Sequence, residues 1–361
     1  MITLHRDTLT FTFPETARDV RSLVERKIKE IATELPPTWD RAELLSQIES
    51  HRAFHKLDPA RQEAARSKIQ TWTPADIEAC LREYAFNRSG LGPDSFASLT
   101  IKFERTMRLP DDDYTYALPT GLGQLPLRSV NDFPETAPAS WIKKGGVVMP
   151  LHRSEALWIW VSSRYRFAVK IKVGEINALS GAPWSSGLQR QPQNYLVAPN
   201  APWEEDDEVV RCLVAMPLRK REANGDGIQF EITPICAESV YRKENAFLLP
   251  PTIQEFFMRL IFASMISKQL DEISRRHERE EIADALEKST EPALAIGRHR
   301  IPDDPYQLGE WNQAQTLCYF LHVCDPQAWR RMTGRTSPYP PLTETEYLNA
   351  RVPWFANYAE D

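Results

Sequence analysis

The chain has 361 residues, a formal net charge of −6 and a hydrophobic fraction of 42%. This length and apolar content predict a globular protein of about two or three domains, or one domain with insertions. The modest acidic balance argues against nucleic acid or an anionic membrane surface as the main partner, because both attract proteins with a clear basic excess.

The N-terminal stretch carries His5, Arg6 and Asp7 where a secretory signal would have its apolar core. The most apolar segment, residues 253–267, is shorter than the roughly 20 residues that a membrane-spanning helix needs. The chain has five cysteines, an odd number, and they are widely spaced. This pattern is typical of a reducing compartment rather than of a disulfide framework. We therefore predict a cytoplasmic protein without a membrane partner.

The first predicted element is a strand that ends at Phe13. Threonines alternate with Leu9, Phe11 and Phe13, the period of a strand with one buried face. The same alternation returns in residues 99–103. The two segments are predicted to be neighbouring strands of one sheet.

Residues 16–95, between these strands, have helical character. Apolar residues follow helical spacing from Val20. Two further helices are predicted to begin at Asp58-Pro59 and at Thr73-Pro74, because each pair combines a capping residue with a first-turn proline. This pattern predicts an inserted helical bundle. Deleting it should leave a foldable β core.

Residues 110–146 have no clear periodicity and are predicted to form a long ordered coil. Several short strands separated by turn residues follow, which favours an antiparallel sandwich or a barrel-like sheet. The predicted strands are 147–151, 156–162, 167–176, 195–198, 209–218 and 227–235.

A further helix is predicted from Thr252, apolar in its first half and charged in its second. After a compact apolar run at residues 317–323, Asp325 caps a helix that Gly334 ends. The predicted class is α+β, with a mainly antiparallel β core, an inserted helical bundle and C-terminal helices. The predicted domains are a β-rich core (1–15 and 96–250), the insert (16–95) and a helical C-terminal region packed on the core (251–361).

A series of short sequence blocks covers the β-rich part and the C-terminal part. They are Leu118–Leu127, Gly145–His152, Glu155–Trp158, Phe167–Val173, Ile176–Trp184, Asn194–Val197, Val214–Leu218, Gly227–Gln229, Asp304–Tyr306 and Pro353–Phe355. In this order they resemble an uncharacterised bacterial protein family, and residues 16–95 have no counterpart in it. The resemblance implies the domain layout and transfers no chemistry.

Cys318, His322 and Cys324 occupy even positions of the apolar run and would share one face of a strand. His322 and Cys324 would then be roughly 7 Å apart. Both residue types bind zinc, but no motif nearby supplies the remaining ligands. The alternative is that small cysteines pack beside a hydrogen-bonded histidine. No metal or other cofactor is predicted.

A catalytic interpretation uses His152 with Glu155, which precede a strong strand, or Cys318 with His322 as nucleophile and base. No strained nucleophile turn selects either pair. For residues 152–155 the alternative is a polar turn with a salt bridge.

A binding interpretation uses Trp184 and Trp203, each at the end of an Ala-Pro-Trp triplet in a turn-rich loop. They are predicted to form an aromatic wall for a peptide or a sugar, or else to cover the sheet's core. Arg166 and Lys170 belong to a basic strand face that either docks an acidic partner or is solvated.

The sequence thus favours a non-catalytic intracellular binding or assembly protein. It would contact a protein partner, or a second copy of itself, through the helical insert and the loop tryptophans. The alternative is a hydrolase or transferase that uses a Cys/His or His/Glu pair.

Overall fold

The computed structural model describes residues 1–34, 41–50, 54–56, 58–71, 97–109, 121–152, 155–199, 209–214, 227–240 and 302–354, together with positions 73, 75, 76, 79, 82 and 119. The chain forms two compact units. The first consists of residues 1–16, 96–236 and 293–361, and the second of residues 17–95 and 237–292. This division places residues 237–292 with the insert and residues 293–361 with the β-rich part.

The first unit contains two sheets of antiparallel character. One sheet has the strand order β1-β2-β3-β6-β10 and is antiparallel throughout. Its strands are β1 (Ile2–His5), β2 (Thr8–Phe13), β3 (Ala97–Thr106), β6 (Ala156–Ser163) and β10 (Val209–Val214).

The second sheet has the order β4-β5-β12-β11-β7-β8, and β9 also pairs with β7. Only the β5–β12 pair is parallel. Its strands are β4 (Arg128–Ser129), β5 (Val147–Pro150), β7 (Phe167–Val173), β8 (Ile176–Asn177), β9 (Leu196–Ala198), β11 (Ile228–Pro234) and β12 (Leu317–Cys324).

The two sheets pack face to face through aromatic side chains. Ring centroids are 5.8 Å apart for Phe11 and Tyr319, and 5.9 Å apart for Phe103 and Phe230. Among the described strands, β1 and β10 are the outermost of the first sheet and β4 and β8 the outermost of the second. The α+β class is thus confirmed, whereas the barrel-like alternative is wrong, because the described strands do not close into a barrel in either sheet.

β2 and β3 are antiparallel neighbours, as the alternating pattern predicts. The buried positions of β2 are its three apolar ones, and those of β3 include Leu99, Ile101 and Phe103. Phe13, the last residue of β2, is the cross-strand partner of Ala97, the first residue of β3. Residues 14–96 therefore occupy the position of a hairpin loop.

Three described helices follow β2, namely α1 (Pro14–Glu34), α2 (Arg41–Ser50) and α3 (Pro59–Thr71). In the second unit, Arg66 Nε lies 2.7 Å from Glu49 Oε1, and Arg82 Nε lies 2.6 Å from Glu25 Oε1. These ion pairs link segments that are distant in sequence. The helix predicted from Thr252 lies outside the described residues.

Two predictions for the first unit need correction. Residues 139–144, predicted as coil, form the short helix α4 (Ala139–Lys144), which buries Trp141. The C-terminal region is not only helical, because β12 pairs with both β5 and β11 inside the second sheet. It also forms α5 (Pro326–Thr333), capped by Asp325 and followed by Gly334 as predicted, and α6 (Glu344–Asn349).

Replacing residues 14–96 by a two-residue turn should leave a folded β-rich unit. The reason is that Phe13 and Ala97 already face each other, so a tight turn can close the β2–β3 hairpin. Circular dichroism and limited proteolysis would measure this, with the intact chain as control. Loss of the β signal would show that the helical segment is required for the core.

Candidate functional site

The outer face of the second sheet brings together two residues that the sequence analysis singled out. Cys318 on β12 and Lys170 on β7 are both cross-strand partners of Glu231 on β11, so the three form one row. They face away from the core, since Tyr319, the neighbour of Cys318, packs against Phe11 of the first sheet. The adjacent row on the same face consists of Phe320, Gln229 and Lys172.

Helices α4 and α5 cover one side of this face. Trp141, Trp329 and Cys324 lie in a single apolar cluster. His322 is fully buried and stacks on Trp141, with ring centroids 4.7 Å apart and planes 15° apart. Its Nε2 donates to the carbonyl oxygen of Gly145 at 2.8 Å. His322 and Cys324 therefore belong to the packing beneath the helices.

The loop of residues 174–195 covers the other side. Lys170 is 1% exposed, and its Nζ donates to the Ser185 carbonyl oxygen at 2.8 Å and to Glu231 Oε2 at 3.0 Å. The same ammonium lies 4.0 Å from the centroid of the Trp184 ring, a cation–π contact that burial strengthens. The lysine is thus internal, and half-buried Trp184 forms part of the cover above it.

Between the two covers part of the sheet remains open to solvent. Cys318 is exposed, and Phe320, Gln229 and Glu231 are half-buried. We call these four residues the open strip. The solvated face of an antiparallel sheet is usually polar. Here a strand in the middle of the sheet instead exposes an aromatic ring and a thiol.

The two cysteines of β12 differ in environment. Burial, with a smaller effect of the Asp325 carboxylate, raises the pKa of the Cys324 thiol to about 12. Partial burial and the nearby Glu231 carboxylate raise the pKa of the exposed Cys318 thiol above its usual value, although a hydrogen bond with Gln229 opposes this. Neither environment favours the thiolate, the form that acts as nucleophile or metal ligand.

The geometry does not allow all three residues of the zinc hypothesis to bind one ion. Cys324 follows Cys318 by six residue steps along the strand, a distance of about 20 Å, so the two sulfurs do not meet at one ion. In the part of the chain that the structure describes, no group of three or more His, Cys, Asp or Glu side chains is placed to hold a metal.

Glu155 forms a buried ion pair on the first sheet. Its two carboxylate oxygens accept hydrogen bonds from Arg105 at 2.6 and 2.7 Å, and the two side chains are 2% and 5% exposed. The carboxylate also accepts the Leu342 backbone N–H at 3.0 Å, while Arg105 donates to the Pro340 carbonyl oxygen at 2.6 Å. The pair therefore anchors the C-terminal segment to β3 and β6.

His152 contributes to the same anchor. Its Nε2 donates to the Tyr339 carbonyl oxygen at 3.0 Å, and the Tyr339 hydroxyl donates to the Gln124 carbonyl oxygen at 2.9 Å. The Arg105 guanidinium lies 5.6 Å from the Tyr339 ring centroid. His152 and Glu155 thus both hold the C-terminal chain segment, and the salt bridge of Glu155 is with Arg105 of β3.

Arg166 belongs to a buried polar network that sequence reasoning missed. Its Nε donates to the Tyr306 hydroxyl at 3.2 Å, and Tyr306 N donates to Asp304 Oδ1 at 2.8 Å. Asp304 Oδ2 accepts from Trp311 Nε1 at 2.9 Å and from the Tyr195 hydroxyl. Burial and the Asp304 contact raise the pKa of Tyr195. The one signal for this network in the sequence was the Asp304–Tyr306 block, which belongs to the blocks that resemble the uncharacterised family.

Trp203, the second loop tryptophan of the prediction, lies outside the described residues. Among the helices that are described, none has the length and apolar character needed to cross a membrane. No family model, curated protein or solved structure matches the chain. The resemblance stated from the sequence therefore stays a prediction.

The substitution Glu155→Gln should lower the free energy of unfolding by about 3–5 kcal/mol, because it leaves the buried Arg105 guanidinium without a counter-charge. Urea unfolding followed by tryptophan fluorescence would measure it. Glu175→Gln is the matched control: it removes the same charge from an exposed pair with Lys172 and should change little. Equal stability of the two variants would contradict an anchoring role for Glu155.

In the native protein, alkylation by iodoacetamide should modify Cys318 and leave Cys324 unmodified until the protein unfolds. The first thiol is exposed and the second is buried with a pKa of about 12. Because the pKa of Cys318 is raised, its thiolate fraction at pH 7 is low and its rate should increase with pH. Peptide mass spectrometry gives both rates. A Cys318 rate above that of free cysteine at pH 7 would instead support an activated nucleophile.

Proposed function

We propose that this chain is a non-catalytic binding or assembly protein that contacts a protein partner or a second copy of itself. The open strip carries the proposal. Phe320 and Cys318 face solvent from β12, with half-buried Trp184 on the cover beside them. Aromatic side chains at such a surface supply contact area to a partner at small conformational cost.

The contacts of the candidate catalytic groups also support binding. Glu155 accepts three hydrogen bonds in a closed ion pair, and His152 is hydrogen-bonded to a backbone carbonyl. His322 lies beneath Trp141, away from exposed Cys318. A general base must reach the proton that it removes, and these positions serve packing instead.

The helical segment of residues 16–95 is the second proposed contact surface. The β2–β3 hairpin can close without it, so its presence calls for a role beyond completing the sheet. The proposed partners are proteins, and the proposed location is the cytoplasm. Nucleic acid and membrane are not proposed as partners, because the net charge of −6 gives the chain no overall basic excess.

Native mass spectrometry combined with size-exclusion chromatography tests the proposal. The purified full-length chain should run as a stable oligomer or retain a stoichiometric partner at micromolar concentration. The variant without residues 14–96 and the variant Trp184→Ala should each weaken the assembly, whereas Glu175→Gln should not. A monomer without any partner, unchanged over a hundredfold range of concentration, would contradict the proposal.

A further inference from the structure

A lysine lies at each end of the open strip, Lys144 at one end and Lys172 at the other. Glu231 in its floor is neutralised by Lys170 and also accepts a hydrogen bond from Gln229 at 3.2 Å. At one end, exposed Lys144 lies over the Phe320 ring, with its Nζ 5.8 Å from the centroid. Among the described residues Lys144 has no ion pair. The floor is thus neutral, and its border at α4 carries an uncompensated cation.

At the other end, Lys172 occupies the same cross-strand row as Phe320 and Gln229. Its Nζ lies 3.2 Å from Glu175, whose side chain is 74% exposed. An exposed pair of this kind contributes little energy and exchanges readily with another carboxylate. Lys172 can therefore bind an incoming anionic group without leaving a buried charge unpaired.

The spacing of the two lysines sets the size of a ligand. Phe320 and Lys172 are two strand steps apart, and each step measures about 4.8 Å, so their Cα atoms are about 10 Å apart. The Lys144 ammonium lies 5.8 Å from the centroid of the Phe320 ring, so the Phe320–Lys172 spacing sets the scale of the distance between the two lysines. In an extended peptide, residues i and i+4 are about 13 Å apart and point to the same side, and residue i+2 lies between them.

From this match we propose that the open strip binds an extended acidic segment of a partner protein. Two carboxylate side chains four residues apart contact Lys144 and Lys172, and an apolar side chain midway packs on Phe320 and Cys318. This inference rests on the proposed binding function and names its ligand. Nucleic acid fits less well, since two cations neutralise few phosphates and the chain is acidic overall.

Fluorescence anisotropy tests the proposal with a fluorescein-labelled nonapeptide. The peptide carries glutamate at its third and seventh positions, leucine at its fifth and serine elsewhere. The full-length protein should bind it saturably, and Lys144→Glu should weaken binding about tenfold, because it replaces an attraction by a repulsion. Lys172→Gln should weaken it less, and added salt should weaken it further. Bound peptide should also slow alkylation of Cys318.

Two controls make the test specific. Lys102→Glu reverses an exposed lysine on β3, in the other sheet, and should leave binding unchanged. A peptide with its two glutamates adjacent should bind about tenfold more weakly than the spaced one, since it reaches one lysine at a time. Thermal unfolding followed by circular dichroism verifies that each variant is folded.

The proposal is overturned if the spaced peptide does not bind, if Lys144→Glu binds it as tightly as the unchanged protein, or if an oligothymidylate binds more tightly. Native mass spectrometry of Lys144→Glu separates this failure from failure of the proposed function. An oligomer or partner that persists in a variant unable to bind the peptide would leave the binding function standing on another surface.

Discussion

Face-to-face packing of the two sheets is the interaction on which the rest of the structure depends. It requires the inner positions of β2, β3, β7, β11 and β12 to be apolar, and rings such as Phe11, Phe103 and Phe230 meet across the interface. Because side chains alternate along a strand, this demand leaves every second residue for the outer faces. The outer face of the second sheet is where the helices, the loop and the open strip are found.

Buried charges show a second constraint, since each must find a partner when water is removed. Arg105 with Glu155, and Lys170 with Glu231, each join strands that are neighbours in a sheet but distant in sequence. The Asp304 carboxylate likewise accepts donors from Tyr195 and Trp311. These contacts fix the loops and the C-terminal segment, and Glu155, a candidate catalytic residue from the sequence, is one of the groups that make them.

Prediction from sequence succeeded where a local pattern reflects a local physical demand. The alternation in β2 and β3, the strands from Val147 to Pro234 and the capped helix after Asp325 were all readable, because period, turn residues and caps act within a few residues. It failed at α4, a helix of six residues that is stabilised by the packing of Trp141 rather than by its own pattern. The barrel-like alternative was wrong for a similar reason. Whether a sheet closes into a barrel depends on which strands pair across the chain, and a local pattern does not show this.

The candidate site was also predictable only in part. The residue types were visible in the sequence, and so was the possibility that Cys318, His322 and Cys324 share a strand face. Their environments were not visible, because exposure of Cys318, burial of His322 and neutralisation of Lys170 depend on segments far away in the chain. Hydrophobic period and turn residues predicted most of the longer strands and the position of the helical segment. Only tertiary packing decided which outward-facing residues are covered and which remain open to a partner.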